Sequence, residues 1–303
     1  MGGSEAIGVA DGAGTGSDVD DLVRCGPFVA GGHAFVIDTN DAELGRLAAD
    51  RLRDLRMSVA EGPPTVFLVL RRGPQWLSHP WGLWRDGEPC ETELANDYVL
   101  AYILWEITRL VLEGTGPNVP IHAGAVVLDG RAIVLAGQSH AGKSTLTAWL
   151  TWRGWGFLTD EVAILDVEST FGQAVVRPFW RPVGVRRGGP LDAVVTFPSA
   201  DPEVLIPATE LGRLAEPAPL AAFVMPSYTP GDAGGLEPMT AAATLRTLAA
   251  HLPTLLDGGR RVFRALSSLL ETVPAYSLRV DDLDTAEAQL RQLLEPGVIG
   301  ASR

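Results

Sequence analysis

Residues 133–145 read IVLAGQSHAGKST, and the fold is decided by how this stretch is read. A short apolar strand, 133–136, runs into Gly137. Gln138, Ser139, His140, Ala141, Gly142, Lys143 and Ser144 then complete G-x-x-x-x-G-K-[ST], the pattern of a phosphate-binding loop. Each position has a physical reason. Gly137 and Gly142 let the backbone turn tightly and bring its N–H groups onto phosphate oxygens, and Thr145 follows in the same loop. Lys143 carries a positive charge toward the β- and γ-phosphates, and the Ser144 hydroxyl is suited to Mg²⁺. A helix expected over 143–152 points its positive N-terminal end at the bound anion.

The octapeptide alone also fits an ordinary glycine-rich turn between strand and helix. Its context favours the phosphate site. The helix-compatible run TLTAWLTW follows, Arg153-Gly154 closes it, and a second strand, 157–161, ends in Asp160 and Glu161. Asp160 or Glu161 can then ligate Mg²⁺, and one of them can take a proton from an attacking hydroxyl. Upstream, 119–127 (VPIHAGAVV) reads as a strand, and Asp129-Gly130 turns it back into the loop strand as a hairpin. His122 on that strand is placed to orient or protonate the acidic residue. His140 sits at a variable position inside the loop and is given no catalytic role.

The chain has 303 residues, enough for two domains, and 46% hydrophobic residues, enough for a sizeable core. Its net charge of -13 repels nucleic acid and anionic membranes, so neither is expected as a partner. The two cysteines, Cys25 and Cys90, lack zinc-ligand spacing and read as free thiols of a reducing compartment. No secretory signal and no run long enough to span a membrane is visible, so a soluble cytoplasmic protein is expected.

Outward from the loop, 1–20 reads as a disordered leader, 21–116 as a small α+β region and 117–303 as the nucleotide domain. In the first region 34–38 and 65–70 are strand-like. Residues 42–56 form an amphipathic helix with Leu44, Leu47, Ala48, Leu52 and Leu55 on one face, capped by Asp41 or Asn40. Three tryptophans in 76–84 are expected to cover the edge of a small sheet, and 94–113 to form a well-buried helix. In the second region Arg177, Arg181, Arg186 and Arg187 are concentrated in an acidic chain. Arg177 and Arg181 are candidates for contacting phosphate or substrate. Residues 191–220 show no distinct signal. A strand at 221–225, a long loop at 226–238, helices near 239–251 and 259–271, a strand at 276–280 and a helix at 285–294 complete the chain.

The run IHAGAVVLDGRAIVLAGQSHAGKSTLTAWLTWRGWGFLTDEVAILD resembles the P-loop core of the HPr kinase/phosphorylase family. The likeness rests on His122 and Gly124, the hairpin, the loop, the Arg153-Gly154 helix end and the acidic pair, and it spans about residues 119–166. The family pattern has two aspartates where this chain has Asp160 and Glu161, and the family's later glycine-rich signature has no match here. The resemblance implies an α/β fold of the HPr kinase/phosphoenolpyruvate carboxykinase type, with a mostly β core. It implies ATP and Mg²⁺ as cofactors, a base relay of His122 and Asp160, Lys143 on the phosphates, and metal ligation by Ser144 with Asp160 or Glu161. The chain looks closer to the HPr-kinase-like proteins beside bacterial peptide-modification genes, including lasso-peptide tailoring kinases. A serine of a peptide or small protein is therefore the expected acceptor, and a homo-oligomer is possible because hexamers occur in the resembled family. The alternatives are a small-molecule hydroxyl kinase and a nucleotide-binding regulator without transfer activity.

Overall fold

A computed structural model describes residues 21–57, 62–73, 78–138, 141–169, 173–196, 203–229, 231, 234–253 and 259–295. The leader expected at 1–20 lies outside them. The fold is mixed α/β with several sheets, in two compact units, Met1–Gly114 and Thr115–Arg303. Among the described residues no helix is long and apolar enough to cross a membrane.

The first unit is built on a sheet of five strands in sequential order: β1 (Val23–Ala30), β2 (His33–Thr39), β3 (Thr65–Arg71), β4 (Trp81–Arg85) and β5 (Glu88–Leu94). Helix α1 (Ala42–Arg51) makes the crossover between the parallel pair β2 and β3. Asp41 caps it, accepting from the N–H groups of Glu43 and Leu44 at 2.9 Å each, while Asn40 instead pairs with the backbone of Arg71. The helix stops at Arg51 and tightens into a 3₁₀ turn at Arg53–Met57, so it is shorter than expected. Leu52 and Leu55 stay buried, but Leu47 is exposed.

Two further expectations change. Trp81 and Trp84 are buried in β4, which pairs with both β3 and β5, so they lie inside the sheet and not at its edge; Trp76 lies outside the described residues. Helix α2 (Val99–Glu113) starts later than residue 94, because β5 occupies 88–94. The β4–β5 hairpin turns on Asp86 and Gly87 at φ 49° and 87°, the Asp-Gly signal of a two-residue hairpin. α2 is buried on one face only, since Ala101 and Trp105 are exposed.

The second unit carries an eight-stranded sheet. Its strands are β6 (Val119–Leu128), β7 (Arg131–Ala136), β8 (Gly156–Thr159), β9 (Val162–Asp166), β10 (Val175–Arg177), β13 (Ala218–Tyr228), β14 (Gly235–Pro238) and β15 (Ala275–Val280). The hairpin of β11 (Val183–Arg186) and β12 (Glu203–Ile206) is separate. β7, which leads into the loop, is antiparallel to β6 and parallel to β13. β10 pairs with both β9 and β13, so β9, β6, β7, β13 and β10 close into a hydrogen-bonded ring. Part of the loop expected at 226–238 is ladder, because β14 pairs with β15.

Alternation along β6 divides the core. Val119, Ile121, Ala123, Ala125 and Val127 pack with Leu248 of α4 (Ala241–Ala249) and with Val262 and Leu266 of α5 (Gly259–Leu269). Val126, with Ile133 and Leu135 of β7, packs on the other side against α3 (Lys143–Trp152) and α6 (Leu283–Leu293). His122 and Gly124 share the parity of Val126 and so face the α3 side.

Gly124 is required by this packing: a Cβ there would stand 2.3 Å from Oγ1 of the buried Thr147 on α3. Gly124→Ala is expected to cost about 1–3 kcal/mol by overpacking, and Thr147→Ala in the same chain to restore most of it. Denaturant unfolding of the two single variants and the double variant tests this; a strictly additive result would refute the contact.

The far end of α3 is tied to α6. Glu287, 3% exposed, accepts from Arg153 Nε at 2.7 Å, Arg291 Nε at 2.7 Å and the indole of the fully buried Trp155 at 3.4 Å. Glu287→Ala leaves the Trp155 N–H without its partner, whereas the half-exposed arginines can rehydrate. The expected loss is about 2–3 kcal/mol, smaller for Glu287→Gln, measured by urea unfolding. Equal losses in both variants would mean that the charge contributes nothing.

Candidate functional site

The loop after β7 enters α3 through Gly142, which has φ 86° and ψ 10°. This is the left-handed region that glycine adopts without strain, and it turns the chain sharply into the helix. Gly142, the N-cap residue, has no side chain to cap α3, and among the described residues no side-chain cap competes with an anion for its first N–H groups. Lys143 is 6% exposed and folds back over the loop, donating to the carbonyls of Gly137 at 2.7 Å and Gln138 at 3.0 Å. Burial lowers the pKa of its ammonium, and the nearby charge of Glu161 opposes that shift. Ala141 donates to the Gln138 carbonyl and completes the described part of the loop. Ser139 and His140 lie outside the described residues.

The acidic pair is set by the same strand system. β8 and β9 both run antiparallel to β6 and keep one register across their break, Thr159 opposite Ala125 and Val162 opposite His122. Asp160 and Glu161 therefore stand beside Ala123 and Gly124, and the Glu161 carbonyl accepts from the Ala123 N–H at 3.1 Å.

The two carboxylates have opposite environments. Asp160 is 5% exposed, and its Oδ1 has no hydrogen-bond partner among the described residues. Burial raises its pKa from the ordinary 3.8 to about 6, with Glu161 adding to the rise and Arg181 and His122 opposing it. For Glu161 burial also works upward. His122, Arg181 and Lys143 outweigh it, so this carboxyl lies below its usual range and is ionised. The contacts are His122 Nδ1 to Glu161 Oε1 at 3.4 Å and Arg181 to Oε2 at 3.4 Å. His122 Nδ1 also lies 2.9 Å from the Glu161 backbone oxygen, which places the ring proton on Nδ1. The expected relay is thus altered: the direct partner of His122 is Glu161, and its influence on Asp160 is through space.

His122, Gly142, Lys143, Ser144, Thr145, Asp160 and Glu161 line one cavity of about 350 Å³. Arg181 joins them, whereas Arg177 is engaged with Asp166 at 2.6 Å on the β9–β10 ladder and does not line it. The rest of the lining comes from β11, β12 and the turn at Gly189, Pro190 and Leu191; Leu191 and β12 fall within 191–220, where the sequence shows no distinct signal. Short strands joined by 3₁₀ turns give too few residues for periodicity to register. The arginine concentration around 177–187 was the available signal. Among the described residues no group of three or more His, Cys, Asp and Glu side chains could by itself hold a metal ion.

No family model and no curated protein matches the chain. Among solved structures it is similar to the Hpr(Ser) kinase/phosphatase from Coxiella burnetii, with a TM-score of 0.33 and 12% identity, over 57% of this chain and 94% of that one. A likeness at that level carries no weight beside the geometry of the site.

Proposed function

We propose that this chain is an ATP- and Mg²⁺-dependent kinase that transfers the γ-phosphoryl group to a hydroxyl, a serine of a peptide or small protein. One observation carries the reading. A buried carboxyl, raised to about 6 and with an oxygen that has no hydrogen-bond partner among the described residues, lies on the same cavity as the lysine and serine of a glycine-turned helix start. A carboxylate in that state is a poor structural element and a good general base.

The donor set fits the implied groups. The α3 N–H groups and Lys143 suit phosphate oxygens. Ser144 with Glu161 or Asp160 offers oxygen ligands for Mg²⁺, which takes its remaining ligands from phosphate and water and needs no all-protein cage. When bound, the metal supplies charge neutralisation at the phosphates. Asp160 accepts the proton of the acceptor hydroxyl as that oxygen bonds to phosphorus and the bond to the ADP oxygen breaks. Glu161, held by His122 and Arg181, remains charged beside it and keeps its own proton affinity low.

Mass spectrometry after incubation with ATP and Mg²⁺ tests this. The panel holds HPr, serine peptides and free small hydroxyl compounds, with Asp160→Asn as control. A phosphate-sized gain on a serine, absent in the control, is the expected result. Bound ATP with no gain on any member would overturn the proposal in favour of a nucleotide-binding regulator.

A further inference from the structure

Strands β7, β13 and β15 run parallel, with β6 on one side of β7 and β13 on the other. The two carboxylates stand on the β6 side, beside Ala123 and Gly124. A phosphoryl group at Asp160 therefore lies on the β6 flank of the loop. The nucleoside, at the other end of the phosphate chain, has the β13 flank to extend over. Among the described residues the cavity lining holds no Phe, Tyr or Trp side chain that could take a base.

β13 presents such a side chain. Its pairing with β7 ends at Val224 opposite Leu135, and the strand runs on to Tyr228. Pro226 reaches the start of the loop, where its carbonyl oxygen would lie 3.7 Å from a Cβ on Gly137. Tyr228 comes two residues later, about 6.6 Å further along the strand. This is the carboxyl end of the parallel strands, where open α/β sheets take their ligands. Strand alternation puts Tyr228 on the face of Ala222 and Val224, and its partner on β15 is the buried Val280. These three pack with Leu146 and Leu150 of α3 and Leu290 of α6, so Tyr228 is on the side of the sheet where the loop enters α3. Unlike them it is 60% exposed, and among the described residues its ring and hydroxyl have no partner. A flat ring in that position offers its face to a base.

Resting on the kinase reading above, we propose that Tyr228 is the nucleobase platform of the site, on which the adenine ring of ATP stacks. Stacking uses the face of a base and not its edge, so the platform accepts adenine and guanine alike. Tyr228 is a binding residue and takes no part in the transfer itself.

The test uses the full chain with Mg²⁺ and two probes titrated separately. One is a non-hydrolysable ATP analogue; the other is inorganic tripolyphosphate, which has the phosphates and no base. Tyr228→Ala should weaken binding of the analogue about tenfold or more and leave tripolyphosphate affinity unchanged. Tyr228→Phe and Tyr228→Trp keep a ring and should bind the analogue as the wild type does. The corresponding GTP analogue should lose as much in Tyr228→Ala as the ATP analogue. Unchanged analogue affinity in Tyr228→Ala, or an equal loss for both probes, overturns the platform while the phosphate loop stands. An equal loss in Tyr228→Phe and Tyr228→Ala overturns it as well, since the hydroxyl and not the ring would then be the contact. A wild type that binds neither probe removes the kinase reading and this proposal with it.

Discussion

Asp160→Asn should lower phosphoryl transfer by about 10²–10⁴-fold, the usual contribution of a general base, while leaving ATP binding nearly intact. The same substitution should make the free protein more stable at neutral pH. A carboxyl whose pKa rises from 3.8 unfolded to about 6 folded binds its proton more tightly in the folded chain. Between those values the unfolded chain holds fewer protons, so the contribution of Asp160 to stability falls as pH rises. Above pH 6 the penalty is complete, about 3 kcal/mol from the shift. Asparagine carries no charge to bury, so the gain should approach about 1–3 kcal/mol above pH 6 and vanish near pH 4. Thermal denaturation from pH 4 to 8, without nucleotide or metal, checks the second half. A stabilisation independent of pH would mean that another effect dominates. Transfer near the wild-type rate would remove Asp160 as the base.

Lys143→Ala should weaken ATP binding by about 100-fold. Its ammonium is buried, so a charge-assisted bond to phosphate is worth about 1.5–3 kcal/mol, and tenfold in affinity corresponds to about 1.4 kcal/mol. In the free protein that ammonium is already held by the Gly137 and Gln138 carbonyls. The substitution therefore also loosens the loop, and both effects act in the same direction. Titration with a fluorescent ATP analogue reads the change, and unchanged affinity would refute the phosphate-loop assignment. Lys143→Arg should rescue little, because the planar guanidinium does not fit where one compact ammonium meets two carbonyls.

The parts of this site that could be read in advance are the ones encoded by neighbours. The Asp129-Gly130 turn lies at φ 49° and 74°, as the dipeptide predicts. The glycine at 142 takes the left-handed conformation that opens α3, and α3 spans Lys143–Trp152 as read. The equivalent turn at Asp86-Gly87 carried the same signal for β5, but the apolar helix pattern after it drew the reading toward residue 94. The edge placement of Trp81 and Trp84 failed because strand order depends on pairings between distant segments, to which composition is blind. The same holds for the β10–β13 contact that closes the ring.

By itself, then, the sequence determined the β6–β7 hairpin, the glycine turn and the helix α3 that follows it. Backbone conformation and charge there depend on about a dozen contiguous residues. Only the tertiary structure decided the different environments of Asp160 and Glu161. Adjacent carboxylates are equivalent in a chain. They become different when one loses water and the other meets His122, brought in on β6, and Arg181, brought in by the connection between β10 and β11. The tertiary structure also brought residues of β11 and β12 to the lining of the cavity. Desolvation, ion pairing and cavity walls arise from groups distant in sequence, so no local pattern encodes them.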